Sequence, residues 1–217
     1  MFSFLIRPNR FFLICECAAL FGIVPLLIGL HPTRLNVHLS LWLIAAYAAS
    51  ILHHTPDFSW HEAWRGLSLK SRDYKIILAR FCVSTLGIIL LTQMIAPERL
   101  FSFPIQRPIF WLVVMILYPV LSALPQEMVF RTFFFRRYAS LFPKEGVMLT
   151  ISAILFGFIH VVFHNPVSPL LSLFCGFFLA GSYLAHRSLQ KAALEHALYG
   201  DMVFTVGLGF YFLVQAT

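Results

Sequence analysis

The chain has 217 residues, 59% of them hydrophobic and only 12% charged, with a mean hydropathy of +0.82. A water-soluble domain carries roughly 25% charged residues, so this composition excludes one and points to a polytopic helical membrane protein. The formal net charge of +7 does not imply a nucleic-acid partner, because the basic residues fall where the positive-inside rule would put them.

The apolar residues come in long runs divided by short polar joints, the pattern of an all-α transmembrane bundle. Met1–Arg10 carries Arg7 and Arg10 and leads into an apolar run from Phe11 to Leu30. That run exceeds the roughly 7–15-residue core of a signal peptide, so an uncleaved first membrane helix is expected. Glu16 within it reads as an interfacial or helix-pairing residue. A second span is expected from about Val37 to Leu52. The stretch His53–Lys75, with Trp60, Trp64 and Tyr74 among Arg65, Lys70 and Arg72, reads as an interfacial loop on the basic side. Its histidines, His53, His54 and His61, read as headgroup-level residues rather than metal ligands.

The third span is expected over about Ile76–Ala96, with Pro97–Pro108 as the next joint. The fourth begins near Ile109 and runs toward Arg131, with Pro119 and Pro125 inside it. Proline frees backbone carbonyls and kinks the helix there, turning the polar residues that follow inward. Later spans are expected over Val147–Phe163, Leu170–His186 and about Ala192–Leu213. An eighth helix results if Gln126–Leu141 separates from the span before it. The whole chain, 1–217, then forms one integral-membrane domain of seven to eight helices.

Apart from Arg34, Arg99 and Arg107, every lysine and arginine falls in segments on one side of these spans. This bias predicts a multi-pass protein of the plasma (inner) membrane with its N-terminus in the cytoplasm. Cys15, Cys17, Cys82 and Cys175 all lie in apolar runs, at spacings that suit neither zinc nor redox chemistry, and are expected to be small buried hydrophobes.

Against that apolar background the ionisable residues stand out. Glu127 and Arg131 are spaced i,i+4, so on a helix they share a face and can pair. His160 and His196 each sit inside a later hydrophobic run. Taken singly, each is explained as a structural ion pair or a hydrogen-bonded bundle histidine. Together they put ionisable groups on three spans beside Gly157, Gly200, Asn165 and Asp201, and intramembrane charges converge on bundle interiors. Two imidazoles can hold a divalent metal or orient a water, and a carboxylate can take the proton as that water attacks a carbonyl. The histidines are not an i,i+4 pair on one helix, so spacing alone gives little metal signal.

Glu127-x-x-x-Arg131, Phe156-x-x-x-His160 and His196 with the Ala-Leu-Tyr-Gly-Asp that follows resemble the three motifs of the CPBP (Abi) family of intramembrane proteases, related to type II CAAX prenyl endopeptidases. The resemblance covers about residues 118–209. It implies an intramembrane endopeptidase cutting a membrane-associated peptide or protein substrate within the lipid bilayer. Glu127 would be the base, Arg131 its partner, and His160 and His196 metal or oxyanion ligands. Gln126, Asn165 and Asp201 would be supporting residues. A divalent metal such as zinc and a metal-free, glutamate-type mechanism are both compatible with it.

The chain departs from the family pattern twice. The first motif normally opens with two glutamates, but here the first position is Gln126, whose amide takes up no proton at neutral pH. The third motif usually ends in Asn or Asp four residues after the histidine, where this chain has Gly200 and then Asp201. These departures motivate an alternative, a non-catalytic immunity or scaffold membrane protein. A small proton-coupled transporter is a third reading, and the lack of an inverted repeat of broken helices speaks against it.

Depth presents a further difficulty. From the expected boundaries His160 lies roughly 20 Å along its helix and His196 only about 6 Å along its own, unless the last helix starts near Arg187.

Overall fold

The structure, a computed structural model, describes residues 8–31, 33–64 and 71–213. Every regular element among them is helical. We label the seven long helices α1 (Arg10–Leu30), α2 (Arg34–His53), α3 (Ser71–Ile95), α4 (Pro108–Arg137), α5 (Glu145–Ile159), α6 (Val167–His186) and α7 (Leu189–Thr205). Among the described residues, six stretches, matching α1 to α6, are long and apolar enough to cross a membrane. Short helices at Trp60–Ala63 and Ser102–Gln106 fill two of the joints.

The expectation of seven full spans is corrected at the C-terminus. α7 is 17 residues long, carries Lys191, Glu195 and Asp201, and stops at Thr205. Gly207 then takes φ +101°, packed against the Arg99 backbone carbonyl, and the chain continues as a 3-10 turn over Leu208–Phe212. No separate eighth helix forms either, because α4 runs unbroken from Pro108 to Arg137. The cysteines are free, but Cys15 and Cys82 are exposed rather than buried, on helix faces turned away from the bundle. Arg7, Arg65 and Lys70, part of the expected charge bias, lie outside the described residues.

α4 passes its prolines by widening. A π-helical turn spans Pro119–Ala123 and a second spans Met128–Phe133. Pro125 cannot bond back to the carbonyl of Leu121. That carbonyl instead accepts a hydrogen bond from Trp42 Nε1 of α2 at 3.1 Å, so a neighbouring helix satisfies what proline releases.

The lower half of α4 is the aromatic centre of the bundle. Phe130, Phe133, Phe134 and Tyr138 are all nearly or fully buried. Phe21 of α1 packs edge-on against Phe130 and Phe134, with ring centroids 5.0 and 5.5 Å apart. Glu16 fulfils its expected helix-pairing role, since Arg137 donates to both its carboxylate oxygens at 2.8 Å and Tyr47 donates to one of them. α5 and α6 approach closely because a Cβ at Gly176 would lie 3.0 Å from the Ala153 backbone. Small residues at such crossings let helices pack where lipid supplies no hydrophobic drive.

Candidate active site

Three helices build the site. On α4, the π turn at Met128–Phe133 follows directly on Glu127, and the fully buried Arg131 returns to it, with Nε 3.3 Å from Glu127 Oε2. The guanidinium also donates to Ser152 Oγ of α5 at 3.2 Å and lies 4.9 Å from the centroid of the Phe156 ring. Arg131 is thus held by a carboxylate, a hydroxyl and an aromatic face, the company a buried cation requires.

On α7, Ser188 caps the helix by accepting from Lys191 N, so α7 starts at Leu189, two residues past Arg187. This earlier start carries His196 deeper than the sequence boundaries allowed. Its Nδ1 lies 2.9 Å from Glu127 Oε1 and its Nε2 lies 3.0 Å from the Tyr118 hydroxyl. A carboxylate only accepts, so Nδ1 carries a proton; in the neutral imidazole Nε2 is then bare and accepts from Tyr118.

On α5, His160 falls where the helix tightens into a 3-10 turn, and its Nδ1 lies 2.7 Å from the Phe156 carbonyl. A carbonyl accepts as well, so Nδ1–H donates there and Nε2 keeps a lone pair. Phe156, one turn earlier, bridges the difference in depth. Its ring centroid is 5.0 Å from that of His160 and 5.5 Å from that of His196.

His160, His196, Tyr118 and Gln126 all line one cavity of about 570 Å³, walled otherwise mostly by apolar side chains such as Leu41, Ile88 and Phe174, with His38 and several serines among them. Glu127 is fully buried and does not line it. Gln126 Nε2 donates to Ser122 Oγ at 2.8 Å, while Oε1 has no hydrogen-bond partner within the protein.

The structure unites Glu127, Arg131, His160, His196 and Gln126, but not the other two expected supporting residues. Asn165 does not line the cavity. Its amide donates to the Phe163 and Tyr211 carbonyls and its oxygen accepts from Ser168 N, so it caps α6 and ties down the C-terminal turn. Asp201 is part-buried beside the site but outside the cavity wall.

Phe156 belongs to a motif read from the sequence, whereas Tyr118 and Ser152 are not marked there as site residues. Tyr118, Ser122 and Gln126 recur every four residues through an apolar span, a polar stripe that could have disclosed Tyr118. Nothing comparable marks Ser152.

The donor set does not fit a resident metal. Both nitrogens of His196 are engaged, and among the described residues no three His, Cys, Asp or Glu side chains are grouped to hold an ion. Structural and catalytic zinc sites use three or four protein ligands.

Residues 108–200, from the start of α4 to the glycine one turn past His196, match the family model described as type II CAAX prenyl endopeptidase Rce1-like. The chain thus carries a region similar to that family, which supports a CPBP/Abi type. Neither a curated protein nor a solved structure matches the chain. The Rce1-like region contains Glu127, Arg131, His160 and His196 together.

Proposed function

We propose that this chain is an intramembrane peptidase hydrolysing a peptide bond of a membrane-associated peptide or protein substrate. It would act in the plasma membrane, with its N-terminus cytoplasmic. The observation that carries this reading is the contact from buried Glu127 to His196 Nδ1, which leaves Nε2 as a base at a cavity wall that also holds His160.

Glu127 acts through His196 rather than on water itself. One carboxylate oxygen faces Arg131 and the other faces His196, so Glu127 fixes the tautomer and stabilises the imidazolium that forms, as in other carboxylate–histidine pairs. The proton of the attacking water is taken up by the Glu127–His196 pair while its oxygen bonds to the scissile carbonyl carbon. His160 Nε2 accepts the water's second hydrogen and orients it. When the C–N bond breaks, the proton on His196 goes to the leaving amine. The free N–H of Gln126 is a candidate donor to the oxyanion. A metal-independent mechanism fits this arrangement, because His196 has no nitrogen left for an ion.

A second reading is favoured by one observation. Gln126 stands on the cavity wall where a carboxylate would be the direct base, and it takes up no proton. Under this reading the chain binds a membrane-associated partner without cutting it, as an immunity or scaffold protein.

The experiment is terminal peptide mapping of membrane fractions from cells carrying wild-type or His160→Ala protein at matched levels. Peptides cut only in the presence of wild type support the peptidase and name its substrate. Identical maps, with a phenotype on deletion, support the non-catalytic reading.

A further inference from the structure

We propose that Tyr118 is the residue through which His196 meets the cavity, relaying a proton between bound water and Nε2. This rests on the peptidase reading above and adds a residue to its machinery.

α4 docks on α7 where the shorter helix presents a glycine. His196, Gly200 and Phe204 are spaced four residues apart along α7 and share one face. The Tyr118 ring lies across that face. A Cβ at Gly200 would lie 2.2 Å from Tyr118 Cε1 and 2.3 Å from both Cζ and Oη, so only glycine leaves room for the phenol. Phe204 closes the far side edge-on, with ring centroids 5.4 Å apart. The slot therefore sets the ring's position, and the ring sets the hydroxyl 3.0 Å from Nε2.

Packing alone would be served by phenylalanine. The hydroxyl instead meets the one nitrogen of His196 that Glu127 leaves bare, and both residues line the cavity. A direct approach of water to Nε2 is thus occupied by the phenol, and the proton must pass through it. The transfer balances. Water gives a proton to Tyr118 Oη while the phenolic proton moves to His196 Nε2, and the water oxygen bonds to the carbonyl carbon. The imidazolium then pairs with the Glu127 carboxylate. On collapse the C–N bond breaks, the proton returns through Oη to the leaving amine, and Tyr118 and His196 regain their starting states.

The test uses full-length protein labelled with 15N-histidine in lipid nanodiscs, together with cleavage of the peptide found by terminal mapping. The His196 signals are assigned by their loss in His196→Gln. Tyr118→Phe removes the hydroxyl and keeps the ring; Gly200→Ala keeps the hydroxyl and pushes the ring away.

The expected result is a shifted His196 Nε2 resonance in both variants and a kcat reduced roughly 100-fold, the usual contribution of a proton-transfer group, with KM little changed. The double variant should be no worse than the poorer single one, because both remove one interaction. Full cleavage by Tyr118→Phe would overturn the relay and leave the peptidase reading intact. A loss confined to Gly200→Ala would likewise reduce Tyr118 to a packing residue. Absence of cleavage by wild type would overturn both.

Discussion

His196 Nδ1 lies 2.9 Å from Oε1 of Glu127, 69 residues earlier in the chain. That contact joins α7 to α4 inside the bundle and organises everything polar around it. Arg131 balances the carboxylate from the other side, Tyr118 occupies the far nitrogen of the imidazole, and His160 stands along the same cavity.

The Glu127–Arg131 pair is fully buried on both sides. Removing one partner of such a pair costs about 3–5 kcal/mol, whereas replacing both by apolar groups is often close to neutral. Arg131→Met should therefore lower the unfolding midpoint in detergent markedly, and Glu127→Leu/Arg131→Met should recover much of the loss. A single variant as stable as wild type would show that the pair is not a structural element.

Gln126 discriminates between the two functional readings. If Glu127 and His196 already supply the base, wild type cuts and Gln126→Glu changes the rate by less than about tenfold. A proton-accepting group is worth about 100- to 10,000-fold where none exists. Cleavage that appears only in Gln126→Glu would therefore identify the natural chain as a non-cutting member.

Metal independence has a direct check. With both His196 nitrogens engaged, treatment with 1,10-phenanthroline or EDTA should leave cleavage of the mapped substrate unchanged. Loss of cleavage that added zinc restores would show that Tyr118 yields Nε2 to an ion.

The Glu16–Arg137 pair should matter for folding and not for chemistry. Its two side chains are 5% and 6% exposed, and it ties α1 to the end of α4. Glu16→Ala leaves a nearly buried guanidinium without its carboxylate, a loss of about 3–5 kcal/mol. Thermal unfolding should record that loss. Per-molecule cleavage at low temperature should stay near wild type, and a large fall in kcat in folded Glu16→Ala would refute the separation.

Composition and spacing already specify the class of molecule and name its conspicuous ionisable residues. Long apolar runs specify membrane helices because the bilayer core leaves no other partner for the backbone. Glu127, Arg131, His160 and His196 are conspicuous because ionisable groups are costly in that setting. Packing between the helices sets which of those residues meet. Asn165 looks like a site residue beside His160, yet its amide is consumed by backbone carbonyls. Glu127 looks like a base, yet burial places it behind His196. Tyr118 is one aromatic residue among many until α7 presents a glycine for its ring to fill. Spacing along one helix fixes which residues share a face. Which atom meets which across helices depends on where α7 starts and how α4 widens past its prolines, and packing between the helices settles both.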